Sequence, residues 1–133
     1  MMPAANAVNS DLGRLKVFLA ELIYSVLLAS SVLHTTATQS GNQFYGFTIS
    51  MSVFAGATAV GSISGGAFNP AVAWSMQFGQ CALLSYGRSG FCDPLAHFYL
   101  YWIAGLLGGV IAGLGFILLS PPRGDEYLQV LDE

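Results

Sequence analysis

Glu21, Asn69, the thiols Cys81 and Cys92 and the imidazoles His34 and His97 are the residues of this chain whose types and positions could do chemistry. Their spacing excludes most of it. No nucleophile has a base nearby, no two carboxylates share an apolar stretch, and no glycine loop follows a strand and opens a helix to cradle phosphate. An enzyme is therefore not expected. No metal motif accompanies the two thiols, and no cofactor is expected. Cys81 and Cys92 fall in one connection, where a bond between them would close a short loop; two free thiols are the alternative. Glu21 is the one ionisable group deep in an apolar run, which makes it a functional candidate by default. A proton relay would lack a second titratable partner, because His34 and His97 fall near the ends of apolar runs and are expected at the interface. Asn69 followed by Pro70 reads as a helix start: asparagine is a favoured N-cap, and proline at the first helical position loses no hydrogen bond.

The elements that must position these residues are apolar. The chain has 133 residues, 54% hydrophobic and 8% charged, with 4 basic against 7 acidic side chains. Soluble domains carry about a quarter charged residues, so this composition belongs in lipid. Nucleic acid is excluded as a partner, because phosphate binding needs clustered lysine and arginine, and the four here are scattered at Arg14, Lys16, Arg88 and Arg123. A hydrocarbon core about 30 Å thick is crossed by roughly 20 apolar residues in a helix. Three runs reach that length: 15–37, which contains Glu21, then 44–63 and 96–119. They predict an integral, multi-pass all-α membrane protein. A polar N-terminal tail (1–14) precedes the spans and an acidic tail (120–133) follows them. The run from Leu15 is long enough to span and shows no small-residue cleavage site, so it is expected to act as its own insertion signal.

Between the second and third runs, 64–79 behaves differently. Gly65 and Gly66 suit a tight backbone excursion, and the helix that starts at Asn69 is predicted to run to about Gly79. Eleven residues rise only about 16 Å, roughly half the hydrocarbon. Such a half-helix is tolerated at membrane depth only when buried in protein or lining a watery cavity, so it is read as re-entrant, followed by a loop over 80–95. A polar interhelical loop carrying a short surface helix is the alternative reading.

Gly-Gly-Ala-Phe-Asn-Pro-Ala-Val-Ala at 65–73, the Gly-rich stretch from Tyr101 to Gly113, and Ala20-Glu21-Leu22 with Thr35-Thr36 together resemble the aquaporin (major intrinsic protein) family, over roughly Val17 to Phe116. Family members look like two three-helix repeats of opposite orientation, each with one Asn-Pro-Ala half-helix. This chain resembles one repeat, most like the C-terminal one. The resemblance implies pore roles for Asn69, Pro70 and Ala71, and a scaffold role for Glu21 as acceptor for the loop backbone. It places the constriction positions at Ala57, Gly66 and Val72. Val72 departs from the pattern, since the second repeat usually has an arginine there that donates to water and repels cations. A wide, apolar constriction suited to small neutral solutes is implied; a lining that has decayed because nothing passes is the other reading. Asn69 likewise could donate to water beside the positive end of the half-helix, or serve only as an N-cap.

Gly105, Gly109 and Gly113, with Gly108 and Ala112 beside them, form a small face for close helix packing. Ser52 with Gly56, and Ala55 with Ala59, do the same in the second run. Phe98, Tyr99, Tyr101 and Trp102 are expected in an interfacial belt. Arg14, Lys16 and Arg88 on one side against Arg123 on the other would place the N-terminus and half-helix loop in the cytoplasm, whereas a second repeat of the family has them outside. Three resolutions stand: the charges are too few to decide, the chain inserts upside down relative to its ancestral repeat, or it lives in an organelle membrane with its own insertion rules. Two functional classes follow. One is a half-channel that pairs with another repeat and passes water or a small neutral solute. The other is an aquaporin-derived accessory subunit of a larger respiratory or photosynthetic membrane complex, without transport. Membrane lipid and another repeat or other membrane subunits are the expected partners.

Overall fold

The computed structural model describes residues 10–37, 43–84 and 97–119. Four helices occupy them: α1 (Asp11–Thr36), α2 (Tyr45–Ser64), α3 (Pro70–Leu84) and α4 (Phe98–Leu119). Helices α1, α2 and α4, with 26, 20 and 22 residues, are long and apolar enough to cross a membrane. Helix α3 has 15 residues and rises about 22 Å, short of the hydrocarbon thickness.

Two boundaries differ from the sequence reading by about a helical turn or more. Helix α1 starts at Asp11, so Asp11 to Arg14 belong to the helix and not to the polar tail. Ser10 caps it, its Oγ accepting from Gly13 N at 3.0 Å, and Asp11 in the first turn pairs with Arg14. The apolar run hid this start because the cap lies among polar residues. Helix α3 continues through Gly79 to Leu84. A lone glycine costs a helix only about 1 kcal/mol, and the Cys-Ala-Leu-Leu that follows Gln80 restores the helical preference. Residues 80–84 therefore belong to the helix and not to the loop; the rest of that loop and both tail ends lie outside the described residues.

Packing joins α1 to both α2 and α4, and α3 to α4. Helices α1 and α4 run parallel. Val17 shares a core with Leu100 and Tyr101, a Cβ on Gly108 would stand 2.6 Å from Ser25 Cβ, and the His34 ring meets the Phe116 ring edge-on at 5.1 Å. Helix α2 runs antiparallel to α1, with Ser31 and Ser52 sharing a hydrogen bond of 2.7 Å between hydroxyls. His34 thus packs half-buried between α1 and α4, its Nδ1 2.9 Å from Ser30 O, and does not simply face the interface.

The face of α4 turned inward carries Leu100, Tyr101, Ala104, Gly108 and Ala112, at alternating steps of three and four as a helix stripe requires. Gly105 is set against α3: a Cβ there would lie 2.7 Å from Pro70 Cδ. Around Gly109 and Gly113 nothing lies within 4 Å of that point. The small face is thus split, with Gly105 and Gly108 packed inside the repeat and Gly109 and Gly113 open. Several hydroxyls in the spans are satisfied on their own helices. Thr36 Oγ1 donates to Val32 O at 2.7 Å, Thr58 Oγ1 to Phe54 O at 2.9 Å and Ser52 Oγ to Thr48 O at 3.0 Å. This is the arrangement that a medium without water demands.

Candidate functional site

The connection from α2 to α3 spans only Gly65 to Asn69, yet it reverses the chain. Gly65, at φ 91, ends α2 in the left-handed conformation, and its N–H returns to Gly61 O at 3.0 Å, an arrangement glycine adopts without Cβ strain. Gly66 follows at φ 69, its N–H held by Ser64 Oγ at 3.1 Å.

The next two amides point at Glu21. Ala67 N donates to Oε1 at 3.1 Å and Phe68 N to Oε2 at 2.6 Å. Glu21 is 1% exposed. It sits ten residues into α1, about 15 Å from the helix start and therefore near half the depth of the hydrocarbon. An unpaired buried amide costs about 1–3 kcal/mol, so one carboxylate on α1 answers both donors and fixes the loop at mid-depth. Ser25, one turn further along α1, donates to Phe68 O at 3.1 Å. Tyr101 donates to Ser64 O at 2.7 Å. This loop is therefore tied by side chains from both neighbouring parallel helices.

Phe68 and Tyr101 are the residues that the sequence reading missed. Phe68 has φ 50, a left-handed conformation that costs a bulky residue about 1–3 kcal/mol. Its N–H and C=O are both held by α1, and its ring stands 5.4 Å from that of Tyr24. Gly56 makes room for it, since a Cβ there would come 2.6 Å from the ring. The glycine of α2 opposite an aromatic residue before the N-cap was the available signal. Tyr101 was expected in the interfacial belt; instead it is buried, because its hydroxyl reaches the end of α2. Phe98, Tyr99 and Trp102 are exposed on the outside of the bundle.

Helix α3 then begins. Asn69 Oδ1 accepts from Ala71 N at 2.8 Å, and Asn69 O from Ala73 N at 2.9 Å. With Oδ1 occupied as the cap, the amide NH2 makes no hydrogen bond to another described residue, and Asn69 is exposed. Helix α3 has two faces. Pro70 and Ala73 pack inward with Gln77, whose Oε1 is buried without a partner among the described residues. Ala71, Val72 and Ser75 are exposed. Ala57 on α2 is exposed too, and its Cα lies 3.4 Å from where a Cβ on Gly66 would stand, so Ala57 and Gly66 adjoin. Val72 is 42% exposed, one turn beyond Asn69. Among the described residues no group of His, Cys, Asp and Glu could hold a metal. Cys81 in α3 is disulfide-bonded; Cys92 lies outside the described residues.

Three spanning helices around a fourth that is too short to span define an all-α, multi-pass integral membrane protein, with a polar helix start presented at mid-depth. The chain matches the family described as Major intrinsic protein over residues 2–116. It belongs to that family, the aquaporin-like membrane channels. No curated protein and no solved structure matches it.

Proposed function

We propose that this chain supplies one repeat of a channel, a half-channel that passes water or a small neutral solute once a second repeat stands opposite α3. The observation that carries this reading is Asn69. Its amide NH2 is exposed at the positive end of α3, at the depth fixed by Glu21. A polar helix start at that depth needs protein or water against it, never lipid. Water lining the Asn69 side gives the amide an acceptor, and the half-helix dipole disfavours cations there. Ala57, Gly66 and Val72 would form the wall beside it. None carries a charge or a side-chain donor, so the passage they line on this side is wide and apolar and favours small neutral solutes over strict water selection. Glu21 acts as scaffold, and Pro70 against Gly105 sets the height of α3.

A second reading, an aquaporin-derived accessory subunit without transport, is favoured by Val72, which stands where an arginine donor would serve permeating water. Osmotic swelling separates the two. Proteoliposomes of the purified protein, with its oligomeric state measured in parallel, are expected to raise water and glycerol permeability above that of empty vesicles. No increase from an assembly holding two repeats would reject the channel and leave the accessory reading.

A further inference from the structure

We infer that Tyr101 is a positioning residue for the passage: its hydroxyl, buried on α4, sets through Ser64 where Gly66 stands, and so which solutes clear the wall beside Asn69. The inference rests on the channel reading above and adds to it a residue that lines nothing itself.

A helix leaves its last four carbonyls without a partner inside it. At the end of α2, Gly61 O is answered by Gly65 N at 3.0 Å, and Ser64 O by the Tyr101 hydroxyl at 2.7 Å. Neither residue of the second bond meets solvent, with Ser64 0% and Tyr101 4% exposed. The Tyr101 ring sits in the core it shares with Val17, Ala73 and Leu100, so packing aims the hydroxyl before the bond forms. Helix α2 packs along α1; Tyr101 ties its end to α4.

Ser64 passes that anchor on. Its Oγ accepts from Gly66 N at 3.1 Å, two residues further along the loop. Gly66 stands at φ 69, and a Cβ there would lie 3.4 Å from Ala57 Cα and 3.4 Å from the Phe68 ring. Gly66 is thus set between the helix that carries Ala57 and the ring that precedes Asn69. Two bonds in series fix it there, Tyr101 to Ser64 and Ser64 to Gly66.

Removing the hydroxyl leaves a buried carbonyl unpaired, which is unfavourable. Water reaches this loop from the passage and not from the Tyr101 core, so relief comes from the passage side. Ser64 turning that way carries Gly66 with it and narrows the wall. Glycerol, the larger solute, is penalised before water.

The test is Tyr101→Phe, which keeps the ring and removes the bond. Proteoliposomes of wild type and variant, each of measured oligomeric state, are assayed for osmotic water and glycerol permeability. The readout is the ratio of glycerol to water permeability, which does not depend on how many channels are intact; a merely structural loss lowers both and leaves it unchanged. The ratio is expected to fall about tenfold in Tyr101→Phe, as for a methylene-sized misfit in a fitted site. Ser64→Ala keeps the carbonyl bond but cuts the link to Gly66, and is expected to shift the ratio in the same direction. A ratio equal to the wild type's in either folded variant overturns the inference and leaves the channel standing. A wild type no more permeable than empty vesicles overturns both.

Discussion

Replacing Glu21 by alanine leaves the amides of Ala67 and Phe68 buried without an acceptor, with the Ser25 bond to its carbonyl and the Tyr24 ring contact left to hold Phe68 in its left-handed conformation. At about 1–3 kcal/mol for each orphaned donor, Glu21→Ala should cost about 2–6 kcal/mol, while Glu21→Gln, which keeps one acceptor oxygen, should lose less. Thermal unfolding in detergent reads this, and equal midpoints for the wild type and the alanine variant would contradict the scaffold role. Gln77 gives the opposite sign. Its Oε1 is buried with no partner among the described residues, so Gln77→Met, similar in length and apolar, should raise stability by about 1 kcal/mol. A lower midpoint would mean that the amide has a partner after all. Residue types were legible at this scale and their geometry was not. Glu21 stands out as the lone acid in an apolar run, and the family resemblance directs it to the loop backbone. The positive φ of Phe68 and the inward turn of Tyr101 depend on bonds to Glu21, Ser25 and Ser64, which no local pattern of sequence encodes.

Among elements, close approach separates the glycines of α4. Gly105→Ala places a methyl 2.7 Å from the Pro70 ring, where neither partner can move without shifting a helix, and should cost about 1–3 kcal/mol. Gly109→Ala meets nothing within 4 Å and, in a helix interior, should stabilise the isolated chain by about 0.5–1 kcal/mol. Similar losses at both positions would show that the open face is packed. In α3, Gly79→Ala also enters open space, and with the helix continuing on both sides it should stabilise by about 0.5–1 kcal/mol; a loss measured in the same unfolding assay would contradict an uninterrupted α3. The spans were legible because length and apolarity suffice to mark them. The ends were less so. Helix α1 begins among polar residues where a serine cap outweighs charge, and α3 passes a glycine that reads as a stop but carries no capping geometry.

For the whole molecule, the three-span architecture and the half-helix follow from apolar length and from Asn69-Pro70, both readable in the chain. The two-sided character of α3 is a tertiary fact, with Pro70, Ala73 and Gln77 turned to the core and Ala71, Val72 and Ser75 turned out. The proposed channel depends on what covers that outer face. Water there makes a pore, whereas lipid or tightly packed protein makes a structural subunit. Val72→Cys reports which, because Cys81 is already bonded and the new thiol stands one turn beyond Asn69. Treated in membranes with a small, water-soluble methanethiosulfonate reagent, the variant is predicted to react rapidly, and its osmotic permeability to fall to that of empty vesicles. A thiol that stays unreactive in the membrane, yet reacts once the protein is denatured, would contradict a water-lined face on α3 and with it the channel.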